Sequence, residues 1–374
     1  MISSQCDSSI VASLWIPIDM EWAKPEYSRS KVDAAGKALI RADANAAEFD
    51  QAVEVLINWR AAHLYPLGKF RETLDALAVR IEPDATLVHR LKRAVSVFHK
   101  LILSPNMRLS QMQDIGGCRV VLESIDQIRE LQRICRSDCP HELLLTDDYI
   151  QHPKDSGYRS LHMIYRFNET GPWNRLWLEL QIRTRLQHSW ATALETIATF
   201  TNQALKSNQG DEEWLYFFKL MGNYLAAREN CNPVPNILSG VELQAEIKKY
   251  VAELNVVKRL TSWKDAVGLT AHLMTSGRSP DTQQHRYFLL SLDTAKKEAN
   301  YIAYGADELE EANREYSIRE AAAKDLGIDV VLVAAETAAE LREAYPNYFA
   351  DTDIFLTHVE EAMGLGQTEL NFGK

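Results

Sequence analysis

Between Asp148 and Glu195 the chain gathers residue types that handle phosphates, metal ions and nucleobases. The stretch YIQHPKDSGYRS supplies Lys154, Gly157, Tyr158 and Arg159, which predicts a glycine-bearing loop. Further on, LWLELQIRTR sets Glu179, Gln181 and Arg183 at every second position. Side chains of a strand repeat with period two, so these three share one face, polar and charged where a buried strand should be apolar. Cations for phosphates, a ring for a base and a carboxylate for a metal would together grip a nucleotide.

The elements that must position these residues are legible as hydrophobic spacing. RSLHMIYRF and NRLWLELQIR predict a hairpin that turns at Gly171 and Pro172. Residues 185–200 return to helical spacing and carry His188. Upstream, residues 29–62 predict one amphipathic helix, about 70–81 a second after a turn at Pro66 and Gly68, and 84–103 a third that carries Arg90, Lys92, Arg93, Ser96 and Lys100. By charge pattern alone those cations are a solvated helix face. DIGGCRVVLE reads as a buried strand with Asp114 at its mouth, a place where Asp is usually a turn residue. A helix over 125–135 would cover the sheet.

YIQHPKDSGYRSLH followed by LELQIRTRLQHSW, with RLKRAVSVFHK and DIGGCRVV upstream, closely resembles the synthetase domain of RelA/SpoT-type pyrophosphotransferases. The resemblance implies an α/β (α+β) fold, a mixed β-sheet with flanking helices. It implies that Arg90, Lys92, Ser96 and Lys100 contact ATP, and that Asp114 and Glu179 hold Mg²⁺. Lys154, Arg159, Gln181 and Arg183 would meet the transferred or acceptor phosphates, Tyr158 would stack on the acceptor base, and His188 would support them. Ordinary members use GDP or GTP as acceptor, whereas toxic small members modify the 3′ CCA end of tRNA and stop translation.

Composition is that of an ordinary globular protein, with 25% charged and 46% hydrophobic residues. No apolar run approaches the roughly 20 residues that cross a bilayer, and the N-terminus lacks a basic signal-peptide start, so a cytoplasmic location without a membrane is expected. The net charge of −11 is uneven: from residue 241 onward 14 Lys/Arg face 23 Asp/Glu. The two prolines of CNPVPN suggest a boundary, giving a synthetase domain over 1–235 and a C-terminal domain over 236–374 with a helical linker. That second part reads as β-β-α-β-α, ending in a helix over 337–345. No cysteine follows Cys231, which excludes a zinc site of the usual structural kind.

The C-terminal part is similar to that of fused toxin–antitoxin members called CapRel, which carry a small zinc-free pseudo-zinc-finger domain. There a Tyr-x-x-Tyr pair blocks the ATP site until a phage protein, such as a major capsid protein, binds. Tyr345 and Tyr348, around Pro346, fit that pair in an exposed, turn-bound setting; Tyr301 and Tyr304 form another. The resemblance therefore implies a pyrophosphotransferase that is restrained by its own C-terminal domain, with tRNA as the expected acceptor. GDP or GTP is the alternative acceptor, and a non-catalytic phage sensor the alternative class.

Overall fold

The computed structural model describes residues 22–41, 45–83, 85–201, 212–275, 286–293, 298–323, 328–335 and 348–365. Among the described residues three helices come first: α1 (Arg29–Ile40), α2 (Ala46–Ala61) and α3 (Leu64–Ala78). The single helix expected over 29–62 is thus two, because Asn45 caps α2 with its side chain while Glu48 reaches back to the Asn45 amide. Pro66 sits in the first turn of α3, where its missing N–H costs nothing, so the expected turn is a helix start.

A five-stranded mixed sheet follows, built from β1 (Thr86–Leu91), β2 (Gly116–Leu122), β3 (Glu142–Asp148), β4 (Leu161–Arg166) and β5 (Trp177–Thr184) in the order β1-β2-β5-β4-β3. Only the β2–β5 pairing is parallel. Helix α4 (Ala94–Leu103) follows β1, and α5 (Ile125–Asp138) connects β2 to β3. The helix expected over 84–103 is therefore a strand and a helix. Leu87 and Leu91, four apart, suit either period, and antiparallel pairing of Thr86–Leu91 with β2 decides in favour of the strand. The hairpin of β4 and β5 is as expected; β3 went unread because its run of leucines lacks alternation.

Period two divides the sheet cleanly. Cys118, Val120, Leu122, Met163, Tyr165, Leu178, Leu180 and Ile182 join Leu67, Phe70 and Leu74 of α3 and Ile128 and Leu131 of α5 in one core. The intervening positions on β2, β4 and β5 face the other way, and they include Arg119, His162, Glu179, Gln181 and Arg183.

Helices α6 (Arg185–Phe200), α7 (Glu212–Arg228), α8 (Gly240–Glu253) and α9 (Val256–Thr275) come next. Strands β6 (Tyr287–Asp293), β7 (Glu298–Tyr304) and β8 (Ile328–Ala334) form an antiparallel sheet in the order β7-β6-β8, with α10 (Leu309–Ala323) before β8. Phe288, Leu290 and Leu292 face Ala266 and Val267 of α9, while Leu289 faces Ala312 of α10. The helix expected over 337–345, and Tyr345 with it, lies outside the described residues.

The last described helix, α11 (Tyr348–Ala362), was not expected. It does not stay with the small sheet. Phe355, Leu356, Val359 and Ala362 join Trp190, Leu194, Trp214, Phe217 and Phe218 of α6 and α7, and Leu243 and Ile247 of α8, in one apolar cluster. The division expected at 235/236 runs through the middle of that cluster. Burying the α11 stripe there stabilises by roughly 25 cal/mol for each Å² of apolar surface removed from water, which ties α11 to the N-terminal half.

Phe355 is fully buried and lies stacked on Phe218 with ring centroids 5.8 Å apart. Phe355→Ala is expected to cost about 3–5 kcal/mol. Tryptophan fluorescence of Trp190 and Trp214 and the far-ultraviolet circular dichroism should lose that stability together in a denaturant titration. A fluorescence midpoint that stays at the wild-type value would show that α11 is not part of the cooperative unit.

Candidate active site

Parallel pairing of β2 with β5 sets Gly117 beside Glu179 and Arg119 beside Gln181, and antiparallel pairing sets His162 of β4 against Gln181 from the other side. Polar side chains from three adjacent strands thereby converge. The cleft they form is lined by Val88, His89, Arg90, Asp114, Gly117, Cys118, Arg119, Glu179 and Gln181. Gly117 lies against Glu179: a Cβ there would meet the Glu179 carboxylate at 3.8 Å, an ordinary van der Waals contact.

Asp114 precedes β2 and accepts from two ammonium groups, Lys92 Nζ at 2.9 Å and Lys100 Nζ at 2.8 Å. Lys92 is aimed by its backbone: its amide donates to Ile115 O at 2.7 Å, and its carbonyl accepts from Arg60 Nε at 2.6 Å. Burial opposes ionisation of Asp114, but Lys92 and Lys100 overcome it and hold the carboxyl at about 2. Arg90 stands exposed at the cleft wall on β1, and Ser96 is half-buried in the first turn of α4. The four expected ATP contacts therefore come from a strand end, a connection and a helix, not from one helix face.

Glu179 anchors a second chain of contacts. Its Oε1 lies 2.9 Å from His162 Nδ1, and its Oε2 accepts from Gln181 Nε2 at 2.8 Å. His162 Nε2 lies 2.8 Å from the Tyr158 hydroxyl, which also accepts from Arg183 Nη2 at 2.6 Å; the same nitrogen donates to Gln181 Oε1 at 3.0 Å. Burial pushes the Tyr158 hydroxyl up, yet the Arg183 charge and His162 bring it down to about 7. Burial would lower His162, but Tyr158 and Glu179 raise it. Burial raises Glu179, but the hydrogen bond and charge of His162 with the hydrogen bond from Gln181 together outweigh it, and the net direction is down.

The Tyr158 ring is held on several sides. Tyr149, His162 and Trp190 meet it edge-on at 6.0, 5.9 and 6.2 Å, and Lys154 Nζ lies 5.2 Å and Arg183 Cζ 5.0 Å from its centroid. Its loop is fixed by a close backbone approach. Gly157 has φ of +89°, and a Cβ on Gly222 of α7 would come to 2.8 Å from the Gly157 carbonyl.

Two expected assignments change. Arg159 does not face the cleft: it is 4% exposed, and its guanidinium donates to the carbonyls of Gly157, Gly222 and Asn232 and to Asn223 Oδ1. It staples the tyrosine loop to α7 and to the chain beyond. Tyr348 is not exposed on a turn. It is 1% exposed at the start of α11, packed with Phe288, Val333 and Val267, because it begins the apolar stripe that docks α11. In the alternative pair Tyr301 is exposed and Tyr304 buried, as a three-residue spacing on a strand requires. His188 lies 2% exposed with Nε2 3.3 Å from Asp351 Oδ2 of α11.

His162, Tyr149 and Arg119 were not among the expected site residues. A histidine inside the apolar run LHMIY was the available signal for His162, since a lone polar residue on a buried strand needs a partner.

Asp114 and Glu179 line one cleft, and the charge of Asp114 bears on Glu179. Among the described residues no three His, Cys, Asp or Glu side chains group together as a metal cage. Two hard carboxylates suit Mg²⁺, which keeps water and phosphate oxygens as its other ligands.

Residues 89–203 match the family described as "Region found in RelA / SpoT proteins". The chain is 26% identical over 131 residues to GTP pyrophosphokinase YjbM of Bacillus subtilis (strain 168), covering 34% of this chain and 58% of that protein. It is 26% identical over 190 residues to GTP pyrophosphokinase YwaC of the same organism, covering 46% of this chain and 89% of the relative. The match thus spans a little over half of the former and most of the latter. The small alarmone synthetase 1 structure from Bacillus subtilis with pppGpp aligns with a TM-score of 0.40 at 21% identity, over 48% of this chain and 92% of that one. The family match thus places the similarity to RelA/SpoT proteins over residues 89–203 of this chain. No helix among the described residues is long and apolar enough to cross a membrane.

Asp114 has a depressed folded-state pKa, so its stabilisation is full above the ordinary carboxylate range near 4 and is lost as pH falls through about 2. Asp114→Asn should therefore remove a contribution on the order of 2 kcal/mol at neutral pH and flatten the loss of stability between those two pH values. Denaturant titrations of both proteins across that range check it, and parallel curves would count against the two-lysine clamp.

Proposed function

We propose that the protein is an ATP-dependent pyrophosphokinase that moves the β,γ-pyrophosphoryl group of ATP to a 3′-hydroxyl and releases AMP. The observation that carries this is the convergence on one cleft of the Lys92–Asp114–Lys100 cluster and the Glu179–His162–Tyr158–Arg183 chain. Phosphoryl transfer of this kind needs charge neutralisation and in-line positioning more than covalent participation. Arg90, Lys92, Ser96 and Lys100 bind the triphosphate of ATP. Asp114 and Glu179 would hold Mg²⁺, which when bound neutralises developing charge on the phosphate oxygens.

The acceptor oxygen attacks the β-phosphorus as the bond between that phosphorus and the α–β bridging oxygen breaks. Glu179 takes the hydroxyl proton, and its hydrogen-bonded chain through His162 to Tyr158 holds it in place. Tyr158 stacks on the acceptor base, and Lys154, Gln181 and Arg183 flank its phosphates.

The acceptor in this proposal is the 3′ CCA end of tRNA, and translation is the process inhibited. Supporting it is the acidic C-terminal half, a fitting restraint on a harmful activity, docked by α11 on the helix that borders the site. A phage protein that binds the C-terminal half, such as a major capsid protein, would release the restraint. GDP or GTP as acceptor is the second reading, favoured by the names of the two Bacillus relatives.

The test is one mixture of the purified protein, candidate trigger, γ-labelled ATP, tRNA, GDP and GTP. Label on tRNA is expected, and Tyr158→Ala and Glu179→Gln should each lower transfer by on the order of 100-fold or more without loss of fold. Label on guanosine nucleotides alone would replace the acceptor, and label on none of the three would sink the proposal.

A further inference from the structure

A further cavity, of about 490 Å³, lies between the end of α7, the connection over 231–239 and the start of α8. That is the size of a site for a small organic molecule. Its wall is aliphatic, with Val234, Ile237, Leu238 and Leu243 beside Pro233 and Pro235. Arg228 of α7 is the charged residue in the lining. Its side chain is 20% exposed, and Nη1 meets both Glu361 Oε2 of α11 at 2.7 Å and the Tyr224 hydroxyl at 3.3 Å. Among the described residues both contacts use that one nitrogen, so the Nε–Nη2 edge, a fork that takes a carboxylate bidentately, is left for another anion.

The connection is built so that the space stays open. Two prolines fix φ within it, and Asn230, Asn236 and Gly240 hold left-handed conformations at φ of +53°, +57° and +56°. The buried Val234 is pinned by its amide, which donates to Asn223 Oδ1 at 2.8 Å. A freer chain would collapse onto this apolar wall and remove it from water.

The same wall is bonded to the tyrosine loop. Asn232 Nδ2 donates to the Gln151 carbonyl at 2.8 Å, and the Asn232 carbonyl accepts from Arg159 Nη2 at 2.8 Å. Arg159 also donates to Asn223 Oδ1, the atom that holds Val234, and to the carbonyl of Gly157. The cavity wall and the loop that carries Tyr158 are therefore two ends of one set of hydrogen bonds.

We propose that this cavity is a second ligand site, for an aliphatic monocarboxylate whose chain lies on the proline-bearing wall and whose carboxylate pairs with Arg228, and that filling it braces the tyrosine loop. The single guanidinium in the lining selects a single negative charge. A nucleoside polyphosphate would bring several charges to one cation, and an uncharged hydrocarbon would leave the cation unused. Binding and bracing stand apart from the pyrophosphokinase reading; an effect on the transfer rate rests on it.

The test uses the full chain with sodium decanoate as probe and 1-decanol as its uncharged counterpart, followed by titration calorimetry. Ala227 lines the cavity from an exposed position on α7, and Ser239 lines it from α8 without making a cap hydrogen bond, so Ala227→Phe and Ser239→Phe each fill the space from the surface. Thermal melts confirm that the variants are folded. Decanoate is expected to bind one-to-one, about tenfold more weakly to Arg228→Gln, and not to either filling variant. Decanol should bind the unaltered chain about as weakly as decanoate binds Arg228→Gln. Amides over 149–160 should exchange hydrogen about threefold more slowly with decanoate present, and at an unchanged rate in the filling variants.

No decanoate binding, or binding that persists in both filling variants, overturns the site. Decanol binding as tight as that of decanoate overturns the carboxylate assignment, and binding with unchanged exchange over 149–160 overturns the bracing. All these outcomes are read without catalysis, so a chain that labels no acceptor fails the pyrophosphokinase reading alone.

Discussion

The parallel pairing of β2 with β5 is the constraint on which the site depends. One register brings Gly117 beside Glu179 and Arg119 beside Gln181, and it places Asp114 at the mouth of the same cleft. A slip of one residue would turn Glu179, Gln181 and Arg183 into the apolar layer and Leu178, Leu180 and Ile182 toward the cleft. Burying three charged or polar side chains against α3 and α5 would be prohibitive, so the hydrophobic core and the chemistry enforce the same alignment.

Within that frame the ionisable groups restrain one another. Asp114 holds two ammonium groups at one point, and the Glu179–His162–Tyr158–Arg183 chain alternates acceptors and donors without a break. Donors fixed before substrate arrives need no reorganisation when charge develops, which is the physical basis of electrostatic catalysis. The glycine contact between Gly157 and Gly222, with Arg159 spanning the same two backbones, keeps the tyrosine loop from drifting.

The C-terminal half has two different relations to the rest. Its small sheet packs between α9 and α10 and has its own core. Its last helix is shared property: α11 starts under that sheet with Tyr348 and continues into the cluster of α6, α7 and α8. One helix thus links the small sheet to the neighbourhood of His188. The tyrosine at 348 contributes packing to this connection, a role that its position two residues after a proline concealed.

Much of the site was legible because its signals are local. Alternation in LELQIR fixed which residues of β5 share a face, and the glycine-bearing tyrosine loop and the acid before DIGGCRVV stood out by residue type alone. Residues 86–91 were not legible as a strand, since their apolar spacing also suits a helix and only pairing with β2 settles it. The sequence by itself thus determined the inventory: which acids, cations and rings are available, and on which side of β5 they lie. Tertiary structure alone decided which of them meet. Arg159 turns to backbone carbonyls of α7, His162 joins Tyr158 to Glu179, and Asp351 reaches His188 from 163 positions away. Local spacing constrains the direction of a side chain along its own element, but a partner distant in the chain is chosen by the packing that buries both.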